Sequence, residues 1–123
     1  MKYTKHQSNE LVDFIYNSCM HDSVLVGVTY DASKKKTILN LDNHYFSRKM
    51  YFEFEETVLF MQRNNITDEK LDENHYRTIN YIGIEENTNG LPHDLDINDR
   101  IYILIQFFSM DEIHIVANSV EIK

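Results

Sequence analysis

Hydrophobic positions change their spacing near residue 21, and the change divides the chain. Upstream, Leu11, Phe14, Ile15 and Cys19 recur at i, i+3, i+4 and i+8, with Val12 widening the stripe. That spacing predicts one amphipathic helix over residues 5–20. Thr4 followed three residues later by Gln7 fits a capping box at its start, with Ser8 as a rival N-cap. A helix of this length is marginal alone and needs a surface on which to lay its stripe.

From Asp22 the period becomes 2. Val24, Val26, Val28 and Tyr30 alternate with Leu25, Gly27 and Thr29. Beyond the polar loop 31–36, Thr37, Leu39 and Leu41 alternate with Ile38, Asn40 and Asp42. β-Branched content and a short polar connection predict a β-hairpin, and Gly27 marks either a bulge or a close approach of the helix. A third strand is expected over 50–60, kinked or bulged at the paired Glu55–Glu56. Residues 64–73 are polar, with a helical turn expected after Thr67. Strand character returns over 76–85 through Ile79, Tyr81, Ile82 and Ile84.

The clearest hairpin closes the chain, over 100–108 and 112–120 across a tight turn at 109–111. Ile101, Ile103, Ile105 and Phe107 share one face. The other face of that segment is also largely apolar, so it reads as a central strand covered on both sides. No helical crossover separates the strands. The expectation is therefore a single α+β domain over 1–123, with one N-terminal helix packed on a mostly antiparallel sheet of about six strands.

Charge narrows the functional classes. The 20 acidic and 12 basic side chains leave a net charge of −8, and residues 62–123 hold 12 of those acids against 5 bases. That balance argues against nucleic acid and favours a basic protein partner. The single Cys19 excludes an internal disulfide and a cysteine zinc cluster. The stretch MKYTKHQSNELVDF has no apolar h-region, and no apolar run approaches the ~20 residues of a membrane span. The expectation is a cytoplasmic chain with no membrane contact.

Several clusters suggest chemistry. His21, Asp22, Asp42 and His44 could meet at one sheet edge as a metal set if the first hairpin brings its ends together. The plainer reading makes Asp22 a turn residue beside the helix end. Asp94, Asp96 and Asn98 begin an EF-hand pattern that fails, because Asp99 stands at the glycine position and Ile105 at the bidentate glutamate. Glu53, Glu55 and Glu56 read as solvated carboxylates, and Lys34–Lys36 with Arg48 and Lys49 as a solvated hairpin tip. No nucleophile elbow or phosphate loop is present, so no catalytic residue and no cofactor is assigned. The stretch 85–99, EENTNGLPHDLDIND, is the strongest candidate. It is longer than the usual 4–6-residue connection and has no Lys or Arg. Either it is a solvated, disordered loop, or it binds a partner through Glu85, Glu86, His93, Asp94, Asp96 and Asp99.

The order of segments resembles a known group. A His21-Asp22-Ser23 start after a short helix, then VLVGVTYD, TILNLD, FEFEETVLF and IYILIQFFSMDEIHIVANSVEI, is similar to small bacterial proteins with an "LHDA/LHDS" start. Immunity proteins of polymorphic toxin systems are among them. The resemblance spans about residues 11–122, and only His21-Asp22-Ser23 is distinctive in it. It departs at Met20, where Leu is commoner, and in the last hairpin turn, which lacks the usual Gly. It implies no catalytic residues; it implies a protein that binds and blocks a cognate toxin, and the acidic charge suits a basic one. The rival reading is a metal- or small-ligand-binding enzyme using His21, Asp22, Asp42 and His44. A third is a homodimer whose apolar strand faces pair between chains.

Overall fold

The computed structural model describes residues 1–64 and 77–123. Among the described residues the order is β1 (Lys2–Thr4), a 3-10 turn (Lys5–Gln7), α1 (Ser8–Asn17), β2 (Val24–Asp31), β3 (Lys36–Asn43), β4 (Arg48–Arg63), β5 (Ile79–Ile84), β6 (Ile101–Phe107) and β7 (Glu112–Ile122). All strand pairings are antiparallel, along the path β2-β3-β4-β7-β6-β5, with β1 on β7. The expected α+β arrangement of one helix on an antiparallel sheet is what is found. The helical turn expected after Thr67, and Tyr76 at the start of the fourth expected strand, lie outside the described residues.

The helix starts as its sequence directs. Gln7 Oε1 accepts from the backbone N–H of Thr4 at 2.8 Å and from the Thr4 hydroxyl at 2.6 Å. Leu11 and Ile15 are buried and Phe14 packs beside them, but Val12 points to water instead of widening the stripe. The helix stops at Asn17, three residues before the expected end. Cys19 adopts φ 49, a left-handed conformation that a continuing helix cannot accommodate. Asn43, buried at the end of β3, donates to the Ser18 carbonyl at 2.8 Å and accepts from the Phe46 backbone N–H at 2.9 Å. One side chain thus fixes both the helix exit and the turn into β4.

The hairpins follow their alternation. Thr37, Leu39, Leu41 and Asn43 are buried along β3, while Ile38, Asn40 and Asp42 are half-buried between them. Gly27 sits at a bulge, where the register slips between Leu25 and Gly27, and nothing lies close to it. The expected kink in β4 is real: Glu56 has φ 51 and the register slips between Thr57 and Leu59. Thr37 donates to the Thr57 hydroxyl at 2.9 Å there, and the Lys35 carbonyl accepts from the Thr57 backbone N–H at 2.9 Å. The β1 strand escaped the pattern because three residues carry no period. It pairs with Ser119–Glu121 of β7, beyond the stretch occupied by β6.

The sheet curls until its first and last strands touch. Val24 bridges Thr78, the Ser23 carbonyl accepts from the Ile79 N–H at 2.7 Å, and the Arg77 carbonyl accepts from the Leu25 N–H at 2.9 Å. The contact closes the two edges at that end only. Inside the curl lies the main core, built from Leu39, Leu41, Phe52, Phe54, Ile103, Ile105 and Ile115 among others, with α1 packed against β1 and β5. A smaller cluster lies on the outer face, where Tyr102 and Val116 pack under Leu91, with Leu59, Met61, Leu95, Ile97 and Leu104 around them. β6 is therefore covered on both sides, as its composition requires.

Candidate functional site

The outer cluster explains the long acidic stretch. Residues 85–100 are not a free loop: Leu91 is buried, and Leu95 and Ile97 are half-buried against the sheet. The segment is a cover over the outer face of β4, β7 and β6. The Tyr102 carbonyl accepts from the Glu85 N–H at 2.9 Å, and successive turns close from Leu91 to Thr88, Leu95 to Pro92 and Arg100 to Ile97. Side chains assist: Asn87 Oδ1 accepts from Asn89 N–H at 3.0 Å, and Asp96 Oδ1 accepts from Asn98 N–H at 2.8 Å. Two cations pin it from the sheet. Arg63 donates to the Gly90 carbonyl at 3.3 Å, and Arg100 donates to Asn118 Oδ1 at 3.3 Å and to the Asp96 carbonyl.

With the apolar residues turned inward, the polar ones face water. Glu86, His93, Asp94, Asp96 and Asp99 are exposed and Glu85 is half-buried. The disordered-loop reading is thus corrected: these acids are held on a packed scaffold. Asp99 adopts φ 59, which an aspartate tolerates and which turns the chain back into β6. Asp96 and Asn98 serve the cover's own turn rather than a cation loop, and Asp94 is exposed.

Beneath the cover is a polar group that the alternation pattern does not flag. The hydroxyl of Tyr102 lies 2.6 Å from His114 Nδ1, both residues being buried, and His114 Nε2 lies 3.5 Å from Glu112 Oε1. Nε2, though near that carboxylate, is buried without a hydrogen-bond partner. Burial, and then the nearby Glu85 and Glu112 carboxylates, push the Tyr102 pKa up. A phenol so held stays neutral. The hydroxyl of the Tyr102–His114 pair is made harder to ionise rather than easier, which suits a structural bond between β6 and β7.

The proposed metal set is not assembled. His21 Nδ1 and Asp22 Oδ2 are 3.1 Å apart, both well exposed, and they border a hollow of about 940 Å³ together with His44. Asp42 is absent from that border; it lines a smaller hollow with His44, Arg48 and Lys49, and it stands opposite Lys49 in the β3–β4 ladder. Leu41 and Asn43 must both point inward, so Asp42 between them points out. Among the described residues no three His, Cys, Asp or Glu side chains gather as metal ligands. The plainer reading of Asp22 fits better: it has φ 72, and the Ile79 carbonyl accepts from its backbone N–H at 2.9 Å.

Glu53 is not solvated either. Its carboxylate is 12% exposed and sits 3.2 Å from Lys36 Nζ and 3.0 Å from Lys123 Nζ, as paired charges rather than aligned hydrogen bonds. The Lys123 ammonium, then Lys36, holds the Glu53 pKa below the usual glutamate value against the opposing effect of burial. Glu55 meets Lys2 Nζ at 2.7 Å, which ties β1 across to β4. These carboxylates stitch strands together. Of the basic cluster, Lys36 belongs to this set, while the Arg48 guanidinium lies 5.3 Å from the Phe46 ring centroid.

No protein-family model matches the chain, and no curated protein matches it. No helix among the described residues is long and apolar enough to cross a membrane. The site that geometry and charge define together is the acidic cover.

Proposed function

We propose that the protein is a non-enzymatic binding module that recognises a basic protein partner through the acidic cover, and that it acts as an immunity protein against a cognate bacterial toxin in the cytoplasm. The observation that carries this reading is the division of labour in residues 85–100. Leu91, Leu95 and Ile97 hold the segment down while Glu86, His93, Asp94, Asp96 and Asp99 face solvent. An ordered array of like charge loses little freedom on binding and steers an oppositely charged partner during approach. The likeness of the His21-Asp22-Ser23 start to immunity proteins supports the toxin as that partner.

The test is protection. The protein encoded immediately upstream is co-expressed with this chain, either wild type or with Glu85, Glu86, Asp94, Asp96 and Asp99 converted to their amides. Growth rescued by the wild type and lost with the amide variant is expected. Equal rescue by both removes the cover from the reading, and no toxicity to rescue removes the toxin.

A second reading is a homodimer, favoured by Val28, Tyr30, Val58 and Phe60, which gather exposed around a hollow of about 330 Å³ beside the β4 bend. A sedimenting mass equal to that of one chain at every concentration excludes it.

A further inference from the structure

The hollow at the end of α1 has features that neither the cover nor the core requires. Three tyrosines stand at its border, and Tyr16 is 82%, Tyr45 71% and Tyr81 44% exposed. Ile15, Met20 and Ile82 form part of its wall. Tyrosines left in water around an apolar floor are costly decoration for a free surface and common at binding hot spots.

Asp22 is the carboxylate that borders the hollow, with the His21 ring 3.1 Å from it and His44 on the same border, and among the described residues no Lys or Arg lines it. Helix α1 ends there with no basic residue in its last turn, so the partial negative charge of its C-terminus is not offset from within the helix. A second carboxylate, Glu85, lies outside the hollow's lining and is linked to it through Tyr81. Tyr81 lies across Gly83, so closely that a Cβ on residue 83 would fall 2.3 Å from the Tyr81 hydroxyl. Lying flat, Tyr81 donates to Glu85 Oε1 at 3.1 Å. Only glycine at 83 leaves room for that pose, and through it the border of the hollow runs into the acidic cover.

Aromatic faces, carboxylates and a helix C-terminus all attract one kind of group, a cation with a flat or greasy shaft. We infer that the hollow receives an arginine side chain of the basic protein partner, its guanidinium over the tyrosine rings and paired with Asp22. This deepens the reading of the cover, on which it rests for the nature of the partner. The cover supplies attraction at a distance, and the hollow supplies a seat.

The probe is the blocked tripeptide acetyl-Gly-Arg-Gly-amide, titrated into the isotopically labelled whole chain and followed by backbone amide chemical shifts, with the citrulline tripeptide as the uncharged control. Saturable shifts at Asn17, Cys19, Asp22 and Tyr81 are expected, with about fivefold weaker binding of citrulline. Tyr16→Ala, at an exposed position that leaves the core intact, is expected to weaken the arginine peptide and leave the spectrum otherwise folded. Shifts confined to Asp94–Asp99 overturn the hollow while leaving the cover's attraction for basic partners standing. Equal binding of citrulline overturns the cation, and the absence of saturation overturns the seat. If the arginine peptide fills the hollow but the amide variant of the cover still protects, the reading of the cover fails and this one survives.

Discussion

Leu91 is the residue on which the cover depends most, and Leu91→Ala isolates that dependence. Its side chain is buried between the cover and the sheet, against Tyr102 and Val116. Truncating a fully buried leucine costs about 2–5 kcal/mol, rising with the cavity that remains. Here the roof is a turn-rich segment, pinned by a handful of hydrogen bonds, that can sink into the space. The lower end, about 2 kcal/mol, is therefore expected. The loss should fall on opening of the cover rather than on the curled sheet, because the inner core does not touch Leu91. Amide hydrogen exchange separates the two. The N–H groups of Leu91, Leu95 and Arg100, which close the cover's turns, should exchange about 30-fold faster at 2 kcal/mol. The Thr57 N–H, bonded to Lys35 at the β4 bend, should be unaffected. Unchanged protection at Leu95 and Arg100 would refute the claim that apolar burial holds the acids in place.

Three other perturbations bear on separate parts of the structure. Glu53→Gln removes the charge between Lys36 and Lys123 and is expected to cost about 1 kcal/mol near neutral pH. Since its folded-state pKa is depressed, that contribution is present above the ordinary value of about 4.3 and is lost as pH falls through the lowered one. Urea midpoints of wild type and variant should therefore converge in acid, and a constant gap would contradict the pairing. Tyr102→Phe strips His114 Nδ1 of its buried partner and should destabilise by about 1–3 kcal/mol in chemical denaturation; a change under a few tenths would mean that water takes the place of the hydroxyl. Gly83→Ala should cost under about 1 kcal/mol, because the colliding atom is the movable end of Tyr81, yet it should shift the Tyr81 ring resonances as the ring lifts off the strand. Unmoved resonances would contradict the described pose.

The strand and helix patterns were legible because burial there follows a period. The β3 ladder, both faces of β6 and the Leu11–Ile15 stripe are direct readings of alternation. The kink at Glu55–Glu56 was legible too, since on a regular strand one of two successive carboxylates would have to face the core. The cover was half legible. Its charge and length marked it, but Leu91, Leu95 and Ile97 stand in a run of turns, where neither the strand nor the helix period governs direction, so their common inward direction could not be seen. Asn43 and Glu53 were missed for a related reason. A polar residue's burial depends on partners distant in sequence, Ser18 for one and Lys123 for the other. The proposed metal set failed because the first hairpin's ends do not bring Asp42 to His21 and Asp22, which border a separate hollow.

The most direct measurement is the rate at which this chain associates with the protein encoded upstream, followed by stopped flow as salt is raised. The account predicts fast association at low salt that slows steeply with ionic strength. It predicts a drop of about tenfold at low salt when Glu85, Glu86, Asp94, Asp96 and Asp99 are made amides, with the gap closing as the Debye length shrinks. Identical rates for the two chains at low salt would contradict it.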